Sequence, residues 1–254
     1  MSPAVRHFLV AVCALALAVP AAQAQLSPDT AREKRWADQI VPGLVVGDAV
    51  YLQTADGIRF LALYTPAERT RGAVVLAHGP GLHPDHGITG ELRVRLADRG
   101  YSTLSLQMPV LPAEIDDGSA YRGLYPDAAR RIAVGMRFLQ DKGAPRIAIV
   151  SHAMGSGMTY EYLRQNRGAP VLAWAALSYY GVFSEMAGAS FPILDLYGAA
   201  DFRGIRGPAG ERARILRALP GSRQLAVPEG GRFLAGGEKT VLREVADFLD
   251  SVPR

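Results

Sequence analysis

The 254-residue chain alternates short apolar runs with amphipathic stretches. Residues 44–53 and 58–64 are alternating or β-branched runs, and Asp56-Gly57 between them predicts a hairpin. Residues 72–77, GAVVLA, are continuously apolar, as a strand covered on both faces should be. A helical pattern over 87–100 places Ile88, Leu92 and Leu96 on one face and closes at Gly100. Residues 101–108 predict the next strand. Residues 110–125 form a loop with acidic Glu114, Asp116 and Asp117, and 126–142 form an amphipathic helix with Ile132, Met136 and Leu139 on its apolar face. Strands follow at 146–150, 170–180, 191–197 and 222–227, and helices at 157–163, 209–219 and 238–251. Parallel neighbours need crossovers. The alternation therefore predicts an α/β class: a mostly parallel central sheet with helices on both faces, opened by an antiparallel hairpin.

The two ends of this pattern behave differently. Residues 26–42 are polar and mixed, with helical potential at 29–39, and read as a leader into the fold. Ahead of them, Arg6 and His7 precede an apolar run over 8–20, and Ala22-Gln23-Ala24 is a small-x-small cleavage site. This predicts a signal peptide over residues 1–24, a single mature domain over 25–254, and a periplasmic or secreted destination. The apolar run is too short for a span, so no membrane anchor is expected after cleavage. Cys13 is the one cysteine and leaves with the signal. No disulfide or thiolate metal site is then expected in the mature protein. With 49% hydrophobic residues, stability falls to the core. A formal charge of +4 is too mild to point to nucleic acid. The arginines, among them Arg93, Arg95, Arg99, Arg130 and Arg131, read as solvated helix faces.

The chemistry concentrates at residues 146–162, RIAIVSHAMGSGMTYEY. An apolar strand breaks sharply into a glycine-bearing helix, the frame of a nucleophile elbow, Gly-x-Ser-x-Gly. Its central position is Ala153, which has no nucleophilic atom. Ser151 falls at the end of the strand and Ser156 in the first helical turn, where neither takes that station.

With the stretches at 77–87 (AHGPGLHPDHG), 101–109 (YSTLSLQMP), 146–157, 193–201 (ILDLYGAAD) and 223–249, the chain resembles α/β-hydrolases. More narrowly, it is similar to a bacterial family of exported α/β-hydrolase-like proteins of unknown function. The resemblance implies an α/β-hydrolase fold, and the connection at 181–190 is too short for a large lid, so a rather open cleft is expected. It puts the orienting acid at Asp201 and the base between the last strand and the last helix. That segment, PEGGRFL at 228–234, holds no histidine, and none follows His152. Glu229 or Arg232 occupies the space. Arginine stays protonated, and Glu229 could act as a base only with its pKa raised by burial. The oxyanion loop is His78-Gly79-Pro80-Gly81, where Pro80 has no N–H, and Met154 offers the other donor.

These readings make His78, Gly79, Gly81, His152, Met154 and Tyr180 the candidate pocket residues, with Tyr179 and Phe183 as possible walls. His83, Asp85 and His86 are the one candidate metal cluster, at a spacing that matches no firm motif. No cofactor is expected, since neither a Walker lysine nor Rossmann spacing is present. The expected function is a non-catalytic binding protein for a small molecule or an envelope protein. The alternative is an ester or acyl hydrolase with a non-standard nucleophile or a metal-activated water.

Overall fold

The computed structural model describes residues 27–115 and 117–253. The expected signal segment, Cys13 and Asp116 lie outside the described residues. Among the described residues, eight strands, β1 to β8 in chain order, form one sheet in the order β1-β2-β4-β3-β5-β6-β7-β8. Strands β1 (Asp48–Gln53) and β2 (Arg59–Thr65) make the predicted hairpin, and β2 also runs antiparallel to β4 (Tyr101–Leu106). All other pairs are parallel: β3 (Gly72–Ala77), β5 (Ile147–His152), β6 (Val171–Leu177), β7 (Ile193–Gly198) and β8 (Arg223–Val227).

The alternation of side chains along a strand divides the core into two layers. In β3, Ala73, Val75 and Ala77 face one layer, with Ile132 and Met136 of α3 (Tyr125–Asp141) and Met158 and Leu163 of α4 (Met154–Gln165). Val74 and Leu76 face the other, with Leu92 and Leu96 of α2 (Gly87–Asp98) and Val241, Val245 and Phe248 of the C-terminal helix (Glu238–Ser251). Every residue of β3 after Gly72, and every residue of β5, is buried. This is the physical reason β3 and the first four residues of β5 are apolar without a polar alternate. Among the described residues, no helix is long and apolar enough to cross a membrane.

Two expectations are corrected. The N-terminal segment is more than a leader. Helix α1 (Thr30–Ile40), capped by Asp29, which accepts a hydrogen bond from the Arg32 amide, packs on the fold. It does so through Glu33, whose carboxylate meets the guanidinium of fully buried Arg131 at 2.8 and 3.1 Å. Burial raises the Glu33 pKa and the Arg131 charge opposes that rise. Nor are the arginines all solvated. Arg93 is buried and donates to Asp85, and Arg212 forms a fully buried pair with Asp195 at 2.7 Å. A helical turn at Arg203–Arg206, α5, precedes α6 (Ala209–Leu216), making the C-terminal helix α7.

Candidate functional site

The site is built on the turn between β5 and α4. Ala153 adopts φ 53°, ψ −115°, a conformation L-residues avoid, at a typical cost of about 1–3 kcal/mol. The surroundings hold it there: its N–H donates to Leu177 O at 2.8 Å, and its carbonyl accepts from the Ser156 amide at 3.0 Å. The next turn needs glycine for close approach. A Cβ on Gly155 would lie 2.5 Å from the carbonyl oxygens of Ala77 and His78, and one on Gly157 would strike the Tyr125 hydroxyl. Helix α4 thereby starts directly against the end of β3.

Neither flanking serine faces open space. Ser151 and Ser156 are both buried. Ser151 Oγ accepts from Trp174 Nε1 at 2.8 Å and donates to Ser156 Oγ at 3.2 Å, while Ser156 Oγ donates to Ser151 O at 3.0 Å. These hydroxyls tie β5, β6 and α4 together.

Beyond β7, Asp201 is buried and its carboxylate accepts three hydrogen bonds: from Ser178 Oγ at 2.8 Å, from the Phe202 amide at 3.0 Å and from the Phe233 amide at 3.1 Å. The sequence pointed to Glu229 or Arg232 in the loop after β8. The residue brought to Asp201 is Phe233, held at φ 55°, ψ 35°. Its carbonyl accepts from His152 Nε2–H at 3.2 Å, and its ring meets the imidazole edge-on at 6.0 Å. Burial drives the His152 pKa down to about 4, against the pull of the Phe233 carbonyl and of Asp201, so the ring is neutral at pH 7. Glu229 is exposed, and the Thr240 hydroxyl, donating to its carboxylate, lowers its pKa. The burial that would make it a base is absent. A loop gives no periodic signal for its register, so nothing in the sequence singled out Phe233.

Beside this turn opens a cavity of about 720 Å³. Of the candidate pocket residues, Gly81, Met154 and Tyr180 line it. His78, Gly79 and His152 are not in its lining. Gly79 packs behind the turn, where a Cβ would be 3.5 Å from Ala153 Cβ. His78 is buried; its Nδ1–H donates to Gly79 O at 2.7 Å and its Nε2 accepts from the Met108 amide at 2.9 Å. Its role is to brace the loop after β3, and burial takes its pKa down to about 3. Tyr179 lines the cavity, whereas Phe183 is core, meeting Trp174 edge-on at 5.3 Å. Sequence reasoning missed the guanidinium groups of Arg32 and Arg122 at this cavity and left Arg232, also in the lining, without a role there.

The candidate metal cluster does not converge. The His83 and His86 rings meet edge-on at 5.3 Å, and the Asp85 carboxylate is taken by Arg93 Nε and Nη2 at 3.1 and 2.6 Å. Among the described residues, no three His, Cys, Asp or Glu side chains are grouped to hold a metal ion.

The architecture has many solved counterparts. Dienelactone hydrolase from Anabaena variabilis superposes with a TM-score of 0.68 at 16% identity, covering 82% of this chain and 98% of that one. A CIB-like hydrolase from Thermoplasma acidophilum gives 0.63 at 19% identity over 81% and 98%, and Est1E from Butyrivibrio proteoclasticus 0.64 at 13% over 79% and 97%. Likeness at such identities speaks for the fold. No curated protein sequence matches the chain. A family model described as a protein of unknown function, DUF3530, matches residues 6–121. The chain is an α/β-hydrolase-fold protein whose N-terminal part matches that family of unknown function.

Proposed function

We propose that this is an exported protein that has kept the α/β-hydrolase frame, lost its catalytic groups, and binds a small molecule in the cavity beside Ala153. One observation carries the reading. The strained strand-to-helix turn presents a methyl group at Ala153, and the acid-like Asp201 is satisfied by hydroxyl and main-chain donors, with Phe233 in place of an imidazole. A nucleophilic mechanism needs an activated oxygen or sulfur with a base in reach. Ser151 and Ser156 are buried and mutually bonded, and His152 gives its Nε2–H to a carbonyl. The cavity, by contrast, remains open and within the size range of ligand sites.

The purified protein should leave p-nitrophenyl acetate unhydrolysed above a heat-denatured control and should not label with a fluorophosphonate. Labelling at a serine would overturn the reading in favour of an ester or acyl hydrolase. Export rests on the pattern at residues 6–24. It predicts a chain in the periplasm or medium beginning at Gln25; an intact N-terminus in the cytoplasmic fraction would overturn it.

A further inference from the structure

Resting on that binding reading, we infer that the ligand of the cavity is an organic anion with an aromatic or similarly planar apolar body. The charge comes from arginine. Arg32, Arg122 and Arg232 all line the cavity, and no described carboxylate does. Elsewhere Arg93, Arg131 and Arg212 each meet a carboxylate within 2.8 Å. Among the described residues, none of the three cavity arginines has a carboxylate partner. Arg32 donates to Leu111 O and lies over the Trp36 ring, and Arg232 lies over Phe202 and Phe233 at 5.5 and 5.2 Å. Among the described residues, the acids on neighbouring segments lie outside that lining. The Asp117 carboxylate accepts from Ser119 N and Oγ, Glu114 is exposed on the rim loop, and Asp201 is buried with its three donors.

The body comes from the walls. Tyr180, Phe202 and Phe233 form a run of rings with centroids 6.1 and 5.4 Å apart, and Tyr160 and Tyr179 add a second pair at 6.1 Å. Burial raises the pKa of both Tyr179 and Tyr180, so these phenols stay neutral and add no negative charge. Aromatic faces alone would also suit a cation, but unpaired guanidinium groups on the same cavity repel one. A guanidinium fork matches a carboxylate, phosphate or sulfonate with two parallel hydrogen bonds. Arg232, whose guanidinium lies near both the Phe202 and Phe233 rings, sits where a charged group and a ring can be held together.

The test is calorimetric titration of the purified protein with 2-naphthoate, 2-naphthalenemethanol and 2-naphthylmethylamine, at low and high salt. Naphthoate should bind about 10-fold or more tighter than the alcohol, weaken with salt, and exceed the amine further. Arg232→Gln should weaken naphthoate about 10-fold and the alcohol several-fold less, narrowing the ratio between them; Arg122→Gln, at a second exposed position, should act in the same direction. Equal binding of all three probes, or of none, overturns the ligand class while the non-catalytic reading still stands on its labelling test. Fluorophosphonate labelling together with naphthoate selectivity overturns the reading and leaves the class.

Discussion

Asp201 Oδ1 accepts the main-chain N–H of Phe233 at 3.1 Å, across a gap of 32 residues, and so fixes the loop after β8 to the end of β7. Asp201 is buried beneath that loop. Its two other donors, Ser178 Oγ and the Phe202 amide, make it the anchor of three segments. A carboxylate in this position holds backbone together whether or not chemistry occurs nearby.

Asp201→Ala should therefore destabilise the protein by about 2–4 kcal/mol, because it leaves three donors without their charged acceptor. Urea unfolding measures the loss. An effect within 0.5 kcal/mol, the usual scale of surface substitutions, would show that the loop is held by other contacts.

Ala153→Ser alone should yield no fluorophosphonate-labelled protein, since an unactivated hydroxyl lacks a base and removing one member of a triad costs nearly as much as removing all. Ala153→Ser combined with Phe233→His places an imidazole on the backbone that Asp201 already grips. The double variant should label, slowly, where the single one does not. Labelling of the single variant would reveal a base in reach that the present geometry does not identify.

The sheet was legible because its strands are either buried on both faces or alternate, and both patterns have short periods. The predicted last helix, 238–251, and the observed α7 coincide. The turn was legible because its glycines and small residues answer to backbone contacts that leave no room for a side chain. Two kinds of feature were not. Arginine reads as solvent-facing whatever its partner, so the buried Glu33–Arg131 pair was invisible and α1 passed for a leader. The loop after β8 carries no periodicity, so its register, with Phe233 rather than Glu229 or Arg232 at Asp201, appears only in three dimensions.

Gly155→Ala should be the most damaging one-methyl change at the turn. The added Cβ would meet two carbonyl oxygens at 2.5 Å, both backbone, so neither can rotate away. Helix α4 must shift off β3 instead, at a cost of about 3 kcal/mol. For a protein of this size that is a fall in Tm on the order of 10 °C by calorimetry. Gly168→Ala, where a Cβ meets nothing within 4 Å, is the matched control. Equal Tm values for the two variants would refute the close-packing account.

Acid should weaken the fold through its buried neutral histidines. Burial sets the folded pKa of His152 at about 4 and of His78 at about 3, against an ordinary value of 6.5. Below pH 6.5 the unfolded chain binds more protons at these rings than the folded one, so stability falls as pH falls. The contribution is complete above the unfolded value and is lost down to about pH 4 for His152 and about pH 3 for His78. Glu33 and Asp195 act in the opposite sense. Burial raises both pKa values, so each takes up a proton in the folded state first and offsets part of the loss as pH falls. A single variant separates the terms. His152→Gln keeps an N–H for the Phe233 carbonyl and removes the titration. Between pH 6 and 4.5, its stability should fall less steeply than that of the parent, by up to about 1.4 kcal/mol per pH unit, the value of one proton. Denaturant unfolding across that range measures both slopes, and parallel curves would mean that His152 is not held neutral by its surroundings.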